Sequence, residues 1–368
     1  MTKVHHQIDS IAGSAIALLA VTCVFSTAVF GEPNQQEKNK MPEQQRGNIL
    51  PDLQPLVTWH KGENYVFGGC MRFLMERAKP GEPILADFDF FGGIGGDTAV
   101  QAYGRGFDRA FNCHDLPLSS FWDGADFCKH VFGEIGYGHT YVTHGQINAD
   151  KAAHVEAVMA HIDKGMPVLQ RWVPDAPNKG SCYTLLVGYE ENGRTLLYLD
   201  GDSPQPEKYA TDGNIAWDWI FIGDKKRGVD KKELHMNSLK RTLALLTAPD
   251  QYGASYGAKA FRDWADDIEN GRFADGGEYT SYVCVLATNG RAFKTIMEQM
   301  PELAFVREAH AQIWKGQALW RDLEKMGGGF DVSREAMQDA EKRRQIAGKI
   351  REFAVLTDEV ARILKENL

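Results

Sequence analysis

YVFGGCMRFLMERA, residues 65–78, sets one cysteine, Cys70, behind two glycines and in front of a run of good helix formers. That arrangement suits a nucleophile. A thiol attacks as its thiolate, and a helix N-terminus supplies about half a positive charge to favour that form. Gly68 and Gly69 leave room for a substrate to approach. A nucleophile also needs a base on a neighbouring element and donors for a developing oxyanion. Asn64, six residues upstream, is the only side-chain amide between Gln54 and Cys70. The plainer reading of Cys70 is a small residue buried where the chain turns into a helix.

Downstream, the sequence alternates helix and strand patterns. DKAAHVEAVMAHIDKG (150–165) carries apolar residues at 152, 155, 158, 159 and 162, one helical face closed by Gly165. MPVLQRWV (166–173) follows as a strand. CYTLLVGYEE (182–191) and RTLLYLDGD (194–202) read as buried strands, and Asn192-Gly193 between them is a hairpin signal. WDWIFIGD (217–224) adds another strand. From about residue 235 the character changes to helix. SLKRTLALLTAP, KAFRDWADDIENG, YVCVLATNGRAFKTIMEQM and LAFVREAHAQIWKGQALWRDLEKM lead to a final helical run over 334–368.

With Asn64, Cys70 and these strands in that order, the chain resembles the papain-like superfamily. Its closest look is to the butirosin biosynthesis protein H family and the bacteriocin-processing peptidase branch. CMRFLMERA, FDFFGGIGGDTAVQAYG and IDKGMPVLQRW…CYTLLVGYEE carry the likeness, over roughly residues 60–225. The resemblance implies an α+β papain-like domain over 55–228, followed by a helical C-terminal region over 229–368. It implies that Cys70 attacks an amide or thioester, and that Asn64 and the Cys70 N–H hold the oxyanion. Asp200, ending the second strand, would orient the base.

The position that matches the histidine base holds Cys182. A thiol is a poor base, with an ordinary pKa of about 8.5 against about 6.5 for imidazole. Three readings stay open. A histidine arrives from elsewhere, with His60, His139 and His144 nearest in sequence. Or catalysis is lost and the pocket binds a peptide or small-molecule ligand. Or Cys70 and Cys182 form a disulfide.

Composition narrows the classes. A net charge of −9 gives no general attraction to nucleic acid or anionic lipid. Residues 1–31 pair a basic start with an uncharged apolar run and small residues, the pattern of a signal peptide. Residues 32–54 read as a polar linker. The folded part is expected to be secreted or periplasmic, with a membrane anchor if the leader is not cleaved.

No cofactor or metal is expected. GGIGGDT (92–98) lacks the third glycine of a dinucleotide loop and reads as a tight turn. Cys113, His114, Cys128 and His130 lack zinc-finger spacing, and a disulfide between Cys113 and Cys128 fits them better. In DGDSPQPE (200–207), Gln205 and Thr211 stand where a calcium loop after Asp200 and Asp202 needs glycine and glutamate. Trp314 and Trp320 are six residues apart, so they lie on different faces of a helix.

Overall fold

A strand apolar on both faces belongs in the middle of a covered sheet, and the run from Tyr183 to Tyr189 lies there, buried throughout. The computed structural model describes residues 46–58, 61, 63, 66–78, 81–96, 101–104, 124–172, 183–250, 254–272, 291–328 and 334–368. They belong to the second of the two units into which the chain divides, Met1–Gln44 and Gln45–Leu368. The fold is α+β.

Among the described residues the main sheet has seven strands, all antiparallel. They are β1 (Asn48–Ile49), β3 (Tyr137–Val142), β4 (Val168–Trp172), β5 (Tyr183–Glu190), β6 (Thr195–Leu199), β7 (Glu207–Ala210) and β8 (Trp217–Lys225). Their order is β3-β8-β4-β5-β6-β7, with β1 beside the far end of β5. The β5–β6 connection turns at Asn192 and Gly193, with φ of 57° and 82°. These are left-handed conformations that asparagine and glycine tolerate. The four middle expectations, helix 150–165 and the strands at 166–173, 182–191 and 194–202, correspond to Lys151–Asp163, β4, β5 and β6.

Residues 46–50, expected within a polar linker, instead join the sheet. β4 leaves β5 beyond Leu186, and Asn48 and Ile49 take over as partners of Tyr189 and Gly188. Arg46 fastens the end, its N–H donating to Asn192 Oδ1 at 2.8 Å and its guanidinium pairing with Asp163.

Side chains alternate across a strand, and the register sorts the two faces. Arg171 opposes both Tyr183 and Asp218, so these three share a face. That face receives α1 (Val66–Ala78) and α3 (Gly124–Glu134), whose Phe67 and Phe127 lie 4.9 and 6.1 Å from the Tyr183 ring. The Phe67 contact is edge-on, a geometry that adds about 0.5–1.5 kcal/mol beyond area burial. The opposite face receives α5 (Lys151–Asp163), where His161 meets Phe221 edge-on at 5.3 Å.

The GGIGG segment is helical rather than a tight turn. It ends α2 (Phe88–Gly95), capped at its start by Asp87, which accepts from the Phe90 N–H at 2.9 Å. The reason is packing. A Cβ on Gly93 would meet Ser238 Oγ at 2.6 Å and Ala292 Cβ at 3.0 Å. Glycine therefore lets α6 (Lys231–Leu246) and α8 (Arg291–Gln299) close onto α2.

The remaining elements are β2 (Ala102–Gly104), α4 (His144–Ala149), β9 (Ala254–Tyr256), α7 (Gly257–Glu269), α9 (Ala304–Lys325), α10 (Arg334–Gln338) and α11 (Ala340–Asn367). The expected single run over 334–368 splits at Asp339, which caps α11 by accepting from Glu341 N–H at 2.7 Å. β2 pairs with β9, and the main core mixes Phe67 and Tyr183 with Trp264 and Ile350. Residues on both sides of position 228 thus share one core. Among the described residues, no helix is long and apolar enough to cross a membrane.

Candidate functional site

Cys70 lies inside α1, not in front of it. The helix begins at Val66, so Gly68 and Gly69 are helical and Cys70 is its fifth residue. Only the first backbone N–H groups of a helix lack an intrahelical partner. The Cys70 N–H therefore lies among the hydrogen-bonded amides of the helix. The side chain is 0% exposed.

The chain before α1 is tied down on both sides of it. Leu56 N–H and Val57 N–H donate to the Gly201 carbonyl at 3.0 and 3.2 Å, next to Asp200. Arg72 donates to the Pro55 carbonyl at 3.2 Å and to Glu63 Oε1 at 2.8 Å. Leu56 and Val57 are buried as deeply as Cys70.

The electrostatics oppose a thiolate. Burial pushes the Cys70 thiol well above its ordinary value, and the charge of Asp200 pushes it further; a backbone hydrogen bond and Arg72 act against this without reversing it. Asp200 and Cys70, expected near each other, are close enough for that charge to be felt. The Cys70 thiol is free. Among the described residues, no histidine lies within hydrogen-bond reach of its sulfur. Asn64, Cys182 and His60 lie outside the described residues, as do Cys113, His114 and Cys284.

His144 belongs to another place. Thr143 caps α4 in a reciprocal box with Gln146, worth about 1 kcal/mol, and this fixes His144 as the first helical residue. Its N–H donates to Asp218 Oδ1 at 2.6 Å, and its Nδ1 lies 3.1 Å from the same oxygen. Tyr141 Oη donates to Asp218 Oδ2 at 2.6 Å, and Arg171 Nη1 stands 3.9 Å from that oxygen. Burial first, and then the bond to Asp218, drive the Tyr141 hydroxyl far above its ordinary value. The Asp218 side chain is 8% exposed and that of His144 is 46% exposed. Asp218 on β8 and Asp200 at the end of β6 are three strand spacings apart, roughly 14 Å. The bonds of His144 thus go to Asp218.

His139 is no closer to the role of base. It lies in β3, stacked on Phe132 at 5.0 Å, and burial lowers its pKa. Cys128 and His130 lie on α3, where Arg241 donates to the His130 ring at 2.9 Å. Asp200 and Asp202 sit in the β6–β7 connection. Trp314 is 67% exposed while Trp320 is buried, on different faces of α9. Among the described residues, no group of three His, Cys, Asp or Glu side chains converges as a metal site.

Sequence reasoning passed over Asp218, Tyr141 and Arg171. One local signal pointed to their neighbourhood, the T-x-x-Q capping box at 143–146 that starts a helix on His144. No protein-family model matches the chain, and no curated protein matches it in sequence.

Proposed function

We propose that this chain is an exported member of the papain-like superfamily in which Cys70 no longer acts as a nucleophile. It binds a peptide or small amide ligand without cleaving it through Cys70. The observation that carries this reading is the state of the thiol. It is buried, protonated and close enough to Asp200 to feel its charge. The order of elements supports the papain-like comparison: a cysteine helix packed on an antiparallel sheet, with Asp200 at the end of a strand near the thiol. The uncharged run before residue 32 supports export.

A second reading, a cysteine hydrolase or acyltransferase acting on an amide or thioester, draws on the same nearness of Asp200 to Cys70. One experiment separates the two. Native protein is treated with iodoacetamide at pH 7, and the Cys70 peptide is followed by mass spectrometry. The binding reading expects labelling at least about a hundredfold slower than in the unfolded chain, because only exposed thiolate reacts. Labelling as fast as in the unfolded chain, or faster, removes it and favours the hydrolase.

A further inference from the structure

We propose that His144, Asp218 and Tyr141 form a water-activating site for carboxylic esters, independent of Cys70. A buried carboxylate that holds one imidazole nitrogen fixes the tautomer and steadies the imidazolium. Asp218 can only accept, so Nδ1 carries the proton toward it at 3.1 Å. That leaves Nε2 as the basic nitrogen, on a half-exposed side chain at the end of the sheet where β3, β4 and β8 deliver Tyr141, Arg171 and Asp218. Tyr141 closes the far oxygen of Asp218 at 2.6 Å, and Arg171 adds positive charge 3.9 Å from it. These are the charged and titratable groups that face the imidazole's partner from the neighbouring strands.

The step is simple. His144 Nε2 takes a proton from water as the water oxygen bonds to the ester carbonyl carbon. Asp218 stays ionised and holds the imidazolium at Nδ1. The tetrahedral adduct breaks its bond to the alkoxide, and the alkoxide takes the proton from Nε2. Acid and alcohol leave, and the imidazole is neutral again. An alkoxide leaves more readily than an amine from such an adduct, so the site suits esters rather than amides.

The test uses the full chain and p-nitrophenyl acetate. A protein-dependent release of p-nitrophenol is expected. His144→Gln lowers its rate at least about tenfold, in the range of general-base effects. Asp218→Asn lowers it about tenfold or more, because an amide can hold the wrong tautomer. Cys70→Ala leaves it unchanged. His144→Gln keeps the backbone N–H that donates to Asp218, so a purely structural tie survives in it. A His144→Gln rate equal to that of the unaltered chain overturns the proposal. Loss of the rate in Cys70→Ala overturns the non-catalytic reading of Cys70 instead. Should a variant misfold by circular dichroism, diethyl pyrocarbonate is applied to the unaltered chain. Loss of activity in step with His144 modification supports the site, and modification without loss overturns it.

Discussion

The Leu56 carbonyl occupies the space where a side chain on residue 69 would begin: a Cβ built on Gly69 would lie 1.7 Å from Leu56 O and 2.5 Å from Leu56 C. Gly69 is helical, and glycine in a helix interior ordinarily costs about 1 kcal/mol relative to alanine. Here the sign reverses. Gly69→Ala drives a methyl group into backbone that is itself held by two bonds to the Gly201 carbonyl. The expected result is a destabilisation of about 3 kcal/mol or more, read as a lower midpoint in urea. A variant as stable as the parent removes the account of Gly69 as the residue that admits the Leu56 backbone.

The buried thiol next to Gly69 gives a pH signature. Its folded pKa is raised above the ordinary thiol value of about 8.5 by burial and then by Asp200. Well below that value both folded and unfolded chains hold the proton. Above it the unfolded chain releases the proton while the folded chain keeps it, so stability falls as pH rises. Cys70→Ala removes this part of the slope. Urea midpoints measured between about pH 7 and 10.5 for the parent and Cys70→Ala check it. Parallel curves mean the thiol ionises alike in both states.

Much of the sheet was legible because β5 and β6 declare themselves twice, by apolar runs and by the Asn192-Gly193 turn. The last helices were legible from their periodicity. The start of α1 was not. Gly68 and Gly69 read as a break before a helix, yet tertiary contact with Leu56 and Phe88 holds both inside it. Helix propensity is a weak prior that such contacts override. The GGIGG run failed for the same reason. Asp218 was hidden differently. Its strand was recognised, but its partners come from β3, β4 and α4, and only the register of β8 against β3 and β4 brings Tyr141, Arg171 and His144 to one carboxylate. No spacing within the chain encodes that meeting.

The same kind of long-range polar contact joins the sheet region to the C-terminal helices. Asp267 on α7 is buried, accepts from Tyr103 Oη at 2.8 Å, and is paired with Arg272. Asp267→Ala leaves the buried Tyr103 hydroxyl without its acceptor and releases the exposed Arg272 guanidinium, and a loss of about 1–3 kcal/mol is expected. Because β2 and β9 pair beside it and the core is shared, the loss should move the whole transition. Near-ultraviolet and far-ultraviolet circular dichroism should fall together with urea, before and after the change. Two separated transitions would show that the regions before and after residue 228 unfold independently.

Tyr141 offers a way to measure the structural value of the Asp218 carboxylate. Tyr141→Phe removes one short donor from a largely buried carboxylate but leaves both contacts from His144. The expected cost is about 1–3 kcal/mol, the usual penalty for an unsatisfied buried acceptor. Urea midpoints of the parent and Tyr141→Phe read the loss. Equal midpoints would mean that the 2.6 Å contact from Tyr141 to Asp218 adds nothing to stability in solution.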